Sequence, residues 1–168
     1  MSVLKRNFLA NDIVAVTGVP LKNIQNWTDR GFITGQSAGV RGKPRIFSWY
    51  SLIEVAVANE LMHGFMAAPA DAFKVAKKVS HTGVENSALT GASRNPGLPY
   101  HHNQGDTFIV VKRSSAQVIL ATQIPSAIES SDKVALVINF SAIFNDICGA
   151  LRLHPYVVLD AEYPEDVS

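Results

Sequence analysis

Apolar and polar positions alternate along this chain in two styles, helical spacing toward the front and β-branched runs toward the rear. Ile13, Val14 and Val16 make an apolar patch on a short helix that Asn11 or Asp12 can cap. Thr17-Gly18-Val19 breaks it, because Gly18 takes the left-handed conformation without a Cβ clash. Pro20 suits the first turn of the next helix, along which Leu21, Ile24 and Trp27 recur as one inward stripe. Lys22, Asn23, Gln25, Asn26 and Arg30 are left facing outward. From Phe32 to Phe47 the pattern predicts two short strands around a Gly-rich, basic tip, Gly39-Val40-Arg41-Gly42-Lys43-Pro44-Arg45. Ile33 and Thr34 begin that hairpin, and Ile46 and Phe47 close it. Ser48 is a good N-cap for a helix from Trp49 to about His63.

Residues 80–106 are rich in Ser, Gly, Asn, Pro and His and show little apolar periodicity, which predicts a linker or long loop. Beyond them, Thr107–Lys112 and Gln117–Thr122 are β-branched runs close enough for a hairpin, and Lys133–Phe140 predicts a third strand. Ser141 can cap a helix to about Leu153, with Ile143, Phe144, Ile147, Cys148 and Leu151 on its inner face. Pro155 ends that helix, and Tyr156–Leu159 predicts a last strand. The expected class is therefore α+β. A winged helix-turn-helix of four helices and a β-hairpin wing (1–79) precedes the loop (80–106). A small α+β domain of three or four strands and one helix (107–168) follows.

The donor-rich outward face of the second helix fits duplex DNA. Asn and Gln pair bidentately with adenine, and Lys and Arg suit guanine or phosphate. Arg41, Lys43 and Arg45 are three cations in five residues without an acidic neighbour, as a wing laid along phosphates requires. The order resembles the N-terminal DNA-binding domain of the MerR family of bacterial transcription regulators. The resemblance rests on Asp12–Val19, Trp27–Ile33, Pro44–Ser48, the helix carrying Leu52, Ile53 and Leu61, and Gly64-Phe65. Ala67-Ala68-Pro69-Ala70-Asp71 opens a further helix running to about Val79. The resemblance covers roughly residues 7–79. It implies that Lys22, Asn23, Gln25 and Asn26 lie in or beside the major groove, with Arg30 near the backbone and Arg41, Lys43 and Arg45 on the wing. Trp27 and Phe47 match aromatics that pack at the junction of helix and wing.

Two departures stand out. Gln25 and Asn26 occupy positions where the family commonly has an Arg and an aromatic, and Val14 replaces a usual Ala. The family's antiparallel coiled coil is also missing, since 80–106 carries no heptads and too much Pro and Gly. A homodimer is then expected to form through the rear half or the helix from Ser141.

Charge sharpens this division. Through residue 80 there are ten Lys and Arg against five Asp and Glu; from 81 onward there are five against nine. A basic front and an acidic rear fit a DNA-binding domain joined to a module that holds a dimer, senses an effector or touches RNA polymerase or another protein. The single cysteine excludes an internal disulfide framework, and no apolar run approaches a membrane span, so a cytoplasmic protein is expected. No phosphate loop, nucleophile elbow or paired-carboxylate pattern occurs, and neither an enzyme nor a cofactor is expected.

His101-His102 with Asp106 and His81 are read as exposed polar residues rather than a metal site, and Cys148 as a buried hydrophobe. The leading expectation is a sequence-specific regulator of bacterial or phage origin that binds double-stranded DNA as a dimer. The alternatives are an architectural DNA binder, such as a phage excisionase or small terminase subunit, and a protein-interaction module that has lost DNA binding.

Overall fold

The computed structural model describes residues 2–35, 43–88, 91–113 and 115–164; Arg41 and the rest of the tip at 36–42 lie outside them. Among the described residues are seven helices and two small antiparallel sheets, a mixed α+β arrangement. Strand β1 (Asn7–Phe8) precedes helices α1 (Ala10–Thr17) and α2 (Leu21–Asp29). Strand β2 (Phe47–Ser48) leads into α3 (Trp49–Phe65) and α4 (Pro69–Ser80). The rear half holds β3 (Thr107–Lys112), β4 (Ala116–Leu120), the short α5 (Ile124–Ala127), β5 (Ala135–Asn139), α6 (Phe140–Ala150) and α7 (Pro155–Glu162). Strands β4, β3 and β5 form one antiparallel sheet in that order, with β3 central.

Helix α3 organises the core. Trp49, Leu52, Ile53, Val55, Val57, Ala58 and Leu61 are all buried, so the helix is enclosed on nearly every side as far as Ala58, and its last turns reach solvent at Glu60, His63 and Phe65. Its N-terminus is capped as expected, Ser48 Oγ accepting from Ser51 N at 3.2 Å. One continuous cluster runs from Ile13, Ile24 and Trp27 through α3 to Ile109, Phe140, Phe144, Cys148 and Leu159. Trp49 joins three regions: its ring centroid lies 6.4 Å from Phe8 and 6.2 Å from Phe144, and Nε1 donates to Gly97 O at 3.0 Å.

The described residues of segment 80–106 are therefore packed against the body. Leu98, Tyr100 and Arg94 are buried within it. Arg94 donates to the carbonyls of Val79, Asn95, Leu98 and Thr82, so backbone dipoles stand in for the carboxylate a buried cation ordinarily needs.

Several expected elements differ. Helix α1 begins at Ala10, before Asn11 and Asp12, and Asp12 reaches back from the first turn to accept from Leu9 N at 2.7 Å. Leu21 leaves the inward stripe and is exposed, while Thr28 takes a buried place beside Ile24 and Trp27. The two arms of the expected hairpin do not pair with each other among the described residues. Phe47 and Ser48 pair instead with Phe8 and Asn7. The backbone of Thr34 is occupied by side chains of α3: its N–H donates to Glu54 Oε2 at 2.8 Å, and its carbonyl accepts from Ser51 Oγ at 2.7 Å.

The expected last strand at 156–159 is helix α7. Pro155 sits at its first position, and Val158, Leu159 and Tyr163 are buried at helical spacing. Among its described residues the rear half thus has three strands with three helices rather than one. Asn139, not Ser141, caps α6, accepting from Ala142 N at 2.9 Å; Ser141 Oγ instead accepts from Thr107 N at 2.9 Å and ties α6 to β3.

Candidate nucleic-acid interface

The turn between α1 and α2 follows from three residues. Gly18 has φ of +70° and its N–H reaches Val14 O at 2.9 Å, closing α1. Thr17 Oγ1 donates to Ile13 O and accepts from Val19 N, which turns the chain, and Val19 is buried beneath. Helix α2 then packs Trp27 edge-on against Phe73 of α4, centroids 5.3 Å apart, while Phe32 stacks on the same ring at 5.7 Å. These aromatic contacts orient α2 from below and leave its other face open.

On that face Lys22, Gln25, Asn26 and Arg30 are exposed and Asn23 is half-buried. The Arg30 guanidinium lies 4.9 Å over the Phe32 ring, held there by the attraction of a cation for an aromatic face. Across a groove from α2 runs the segment that returns toward β2. Gln25, Thr28 and Asp29 line one wall and Pro44, Arg45 and Phe47 the other. Gln25 and Asp29 of α2 therefore share one surface with Pro44 and Arg45 at the foot of the basic segment. Lys43 is exposed at the margin of the described residues. Phe47 and Trp27 are both buried, in keeping with packing roles.

The two ends of the tip segment are anchored separately. On the outgoing side Thr34 Oγ1 donates to Glu54 Oε1 at 2.6 Å, and His81 Nε2 lies 3.3 Å from Glu54 Oε2. Gly35 follows with φ of +70°; a Cβ there would approach Ser48 Oγ at 3.0 Å and His81 Cε1 at 3.2 Å, so glycine alone fits without displacement. On the returning side Phe47 is paired to Phe8. Both ends are thus fixed close to the first turns of α3.

An ion pair on this surface was invisible to sequence patterns. Asp29 Oδ1 lies 3.1 Å from Arg45 Nη1, with Asp29 the more exposed partner. Arg45 is consequently a paired cation. Thr28 Oγ1 is buried in the groove wall and has no hydrogen-bond partner among the described residues. Asp29 and Thr28 were legible only as helix positions, because the pairing of Asp29 with Arg45 spans sixteen residues of chain.

Elsewhere, the polar residues grouped in the sequence separate. His81 goes to Glu54, whereas His101 and His102 converge on Asp160 of α7 and not on Asp106. Cys148 is fully buried, and desolvation pushes its thiol up to about 12. No helix among the described residues is long and apolar enough to cross a membrane. No protein-family model matches the chain, and no curated protein matches it.

Proposed function

We propose that the chain is a sequence-specific binder of double-stranded DNA that acts as a transcriptional regulator, with residues 1–79 as a MerR-type winged helix-turn-helix. In this reading α2 enters the major groove, where Gln25 and Asn26 address base edges, and Lys22 and Arg30 meet the flanking phosphates. Arg41, Lys43 and Arg45 lie along the backbone as the wing. The observation that carries the reading is the shared groove, in which Gln25 of α2 and Arg45 of the basic segment line one surface. Two copies bound to an inverted repeat would supply the symmetry that operators of this kind have. A regulator of bacterial or phage origin would act in the bacterial cytoplasm. The rear half would then serve the dimer, or contact another protein such as RNA polymerase.

The test is selection of bound fragments from random duplex DNA, followed by titration of the enriched site. Gln25→Ala or Asn26→Ala is expected to lower preference for that site over its variants by about 1–3 kcal/mol, the worth of a bidentate base contact. Lys43→Ala combined with Arg41→Ala is expected to weaken all sequences alike, and to flatten the log–log salt dependence by about 0.9 for each phosphate no longer neutralised. Enrichment of no sequence, together with binding that ignores salt, would refute the proposal. Enrichment by shape alone would favour an architectural role.

A further inference from the structure

We propose that His101, His102 and Asp160 form a binding site for a divalent transition-metal ion of the zinc type. Segment 80–106 delivers the two imidazoles and α7 delivers the carboxylate. His101 Nε2 lies 3.0 Å and His102 Nε2 2.7 Å from the same oxygen, Asp160 Oδ1. The three ligand atoms all fall within 4.8 Å of one another. Around one tetrahedral zinc ion with bonds of about 2.0–2.1 Å, donor atoms stand about 3.3 Å apart. To admit the ion, the nitrogen–oxygen spacing need open by about 0.3 Å at His101 and about 0.6 Å at His102.

The donor set matches that chemistry. Imidazole nitrogen with one carboxylate oxygen suits zinc, cobalt, nickel or iron, whereas calcium and magnesium ask for oxygen alone.

The rings are also held in place. His102 stacks on Tyr156 with centroids 4.4 Å apart and planes 19° from parallel, and buried His101 meets the edge of Tyr163. Such outer contacts orient ligands before the ion arrives. An imidazole that ligates through Nε2 carries its one hydrogen on Nδ1, so the ion takes the place of any hydrogen that Nε2 directs at Asp160. For His101 this gives up the contact from Asn103 N to Nδ1, which at 3.4 Å is already a weak hydrogen bond. His102 and Asp160 are 29% and 44% exposed, so the ion is reachable from solvent and water completes its coordination.

The site would clamp α7 to the start of the rear sheet. Helix α7 in turn holds the front of the chain, since Glu162 accepts from Val3 N at 2.7 Å and from Ser2 Oγ at 3.0 Å. Metal binding at this site is independent of DNA binding, and so is its test.

The full-length chain, stripped with chelator, is titrated with Zn²⁺ alone by calorimetry, and separately with Co²⁺ while its visible absorption is followed. One ion per chain is expected, with a rise in Tm and a Co²⁺ spectrum of low coordination number. Asp160→Asn and His102→Ala are each expected to weaken Zn²⁺ binding by at least about tenfold; His154→Ala, beside Tyr156 but outside the ligand set, is expected to leave it unchanged. Absence of stoichiometric Zn²⁺ binding by the wild-type chain would overturn the proposal, whatever the variants do. Equal binding by wild type and both ligand variants would also overturn it, because the ion would then sit elsewhere.

Discussion

Replacing Asp29 with Asn is expected to tighten DNA binding. In the native chain Asp29 Oδ1 holds Arg45 Nη1 at 3.1 Å on the wall of the proposed groove, and both side chains are solvent-accessible. A phosphate that Arg45 engages must share the guanidinium with this carboxylate. Two negative charges bridged in that way stand about 5–6 Å apart, and at a water-like dielectric their repulsion is about 0.7–0.8 kcal/mol. That is about three- to fourfold in Kd per copy, or about tenfold when two copies bind one operator.

The pair itself contributes little to folding, because exposed ion pairs are worth about 0–1 kcal/mol, so the variant should keep its structure. Fluorescence anisotropy with the selected duplex, repeated from low to high salt, is the assay. The gain should be largest at low ionic strength and shrink as screening shortens the reach of the charges. Unchanged or weaker binding at low salt would refute the reasoning: Arg45 would then not face phosphate, or Asp29 would itself touch a base.

Other expectations concern the core. Trp49→Ala removes a fully buried ring and leaves Gly97 O without its donor, so a loss of about 3–5 kcal/mol is expected in urea unfolding. Because that ring touches Phe8, Gly97 and Phe144, the loss should appear in a single transition followed equally by probes in the front and rear halves; two separated transitions would show that the halves unfold independently. Cys148 should resist alkylation in the native chain at pH 8 and react once denatured, since its thiol is buried and raised from the ordinary 9.0 to about 12. The native state then binds more protons than the unfolded chain between those two values. Stability should fall as pH rises through that window, and Cys148→Ala should remove that part of the slope.

How much of the fold was readable in advance depended on range along the chain. The break at Gly18, the cap at Ser48, the burial of Trp27 and the strand at Thr107–Lys112 are local, set by φ preference, hydrogen bonds three residues apart and side-chain periodicity. The segment 156–159 misled because Tyr, Val and Leu in a row satisfy a strand as well as a helix. Pro155 and the burial of Val158, Leu159 and Tyr163 on one helical face decided for α7.

The sequence by itself determined the order of most elements and the contrast between a basic front and an acidic rear. Tertiary structure alone decided which polar groups meet. Thr34 was claimed by Glu54 and Ser51, His81 by Glu54, Arg45 by Asp29, and two adjacent histidines by Asp160. It also decided that the part of 80–106 around Arg94 and Gly97 lies against the body, through Trp49 and buried Arg94. The reason is physical. Periodicity records whether a residue faces in or out, whereas the partner of a buried polar group is chosen by whichever distant donor or acceptor the packed helices bring within about 3 Å.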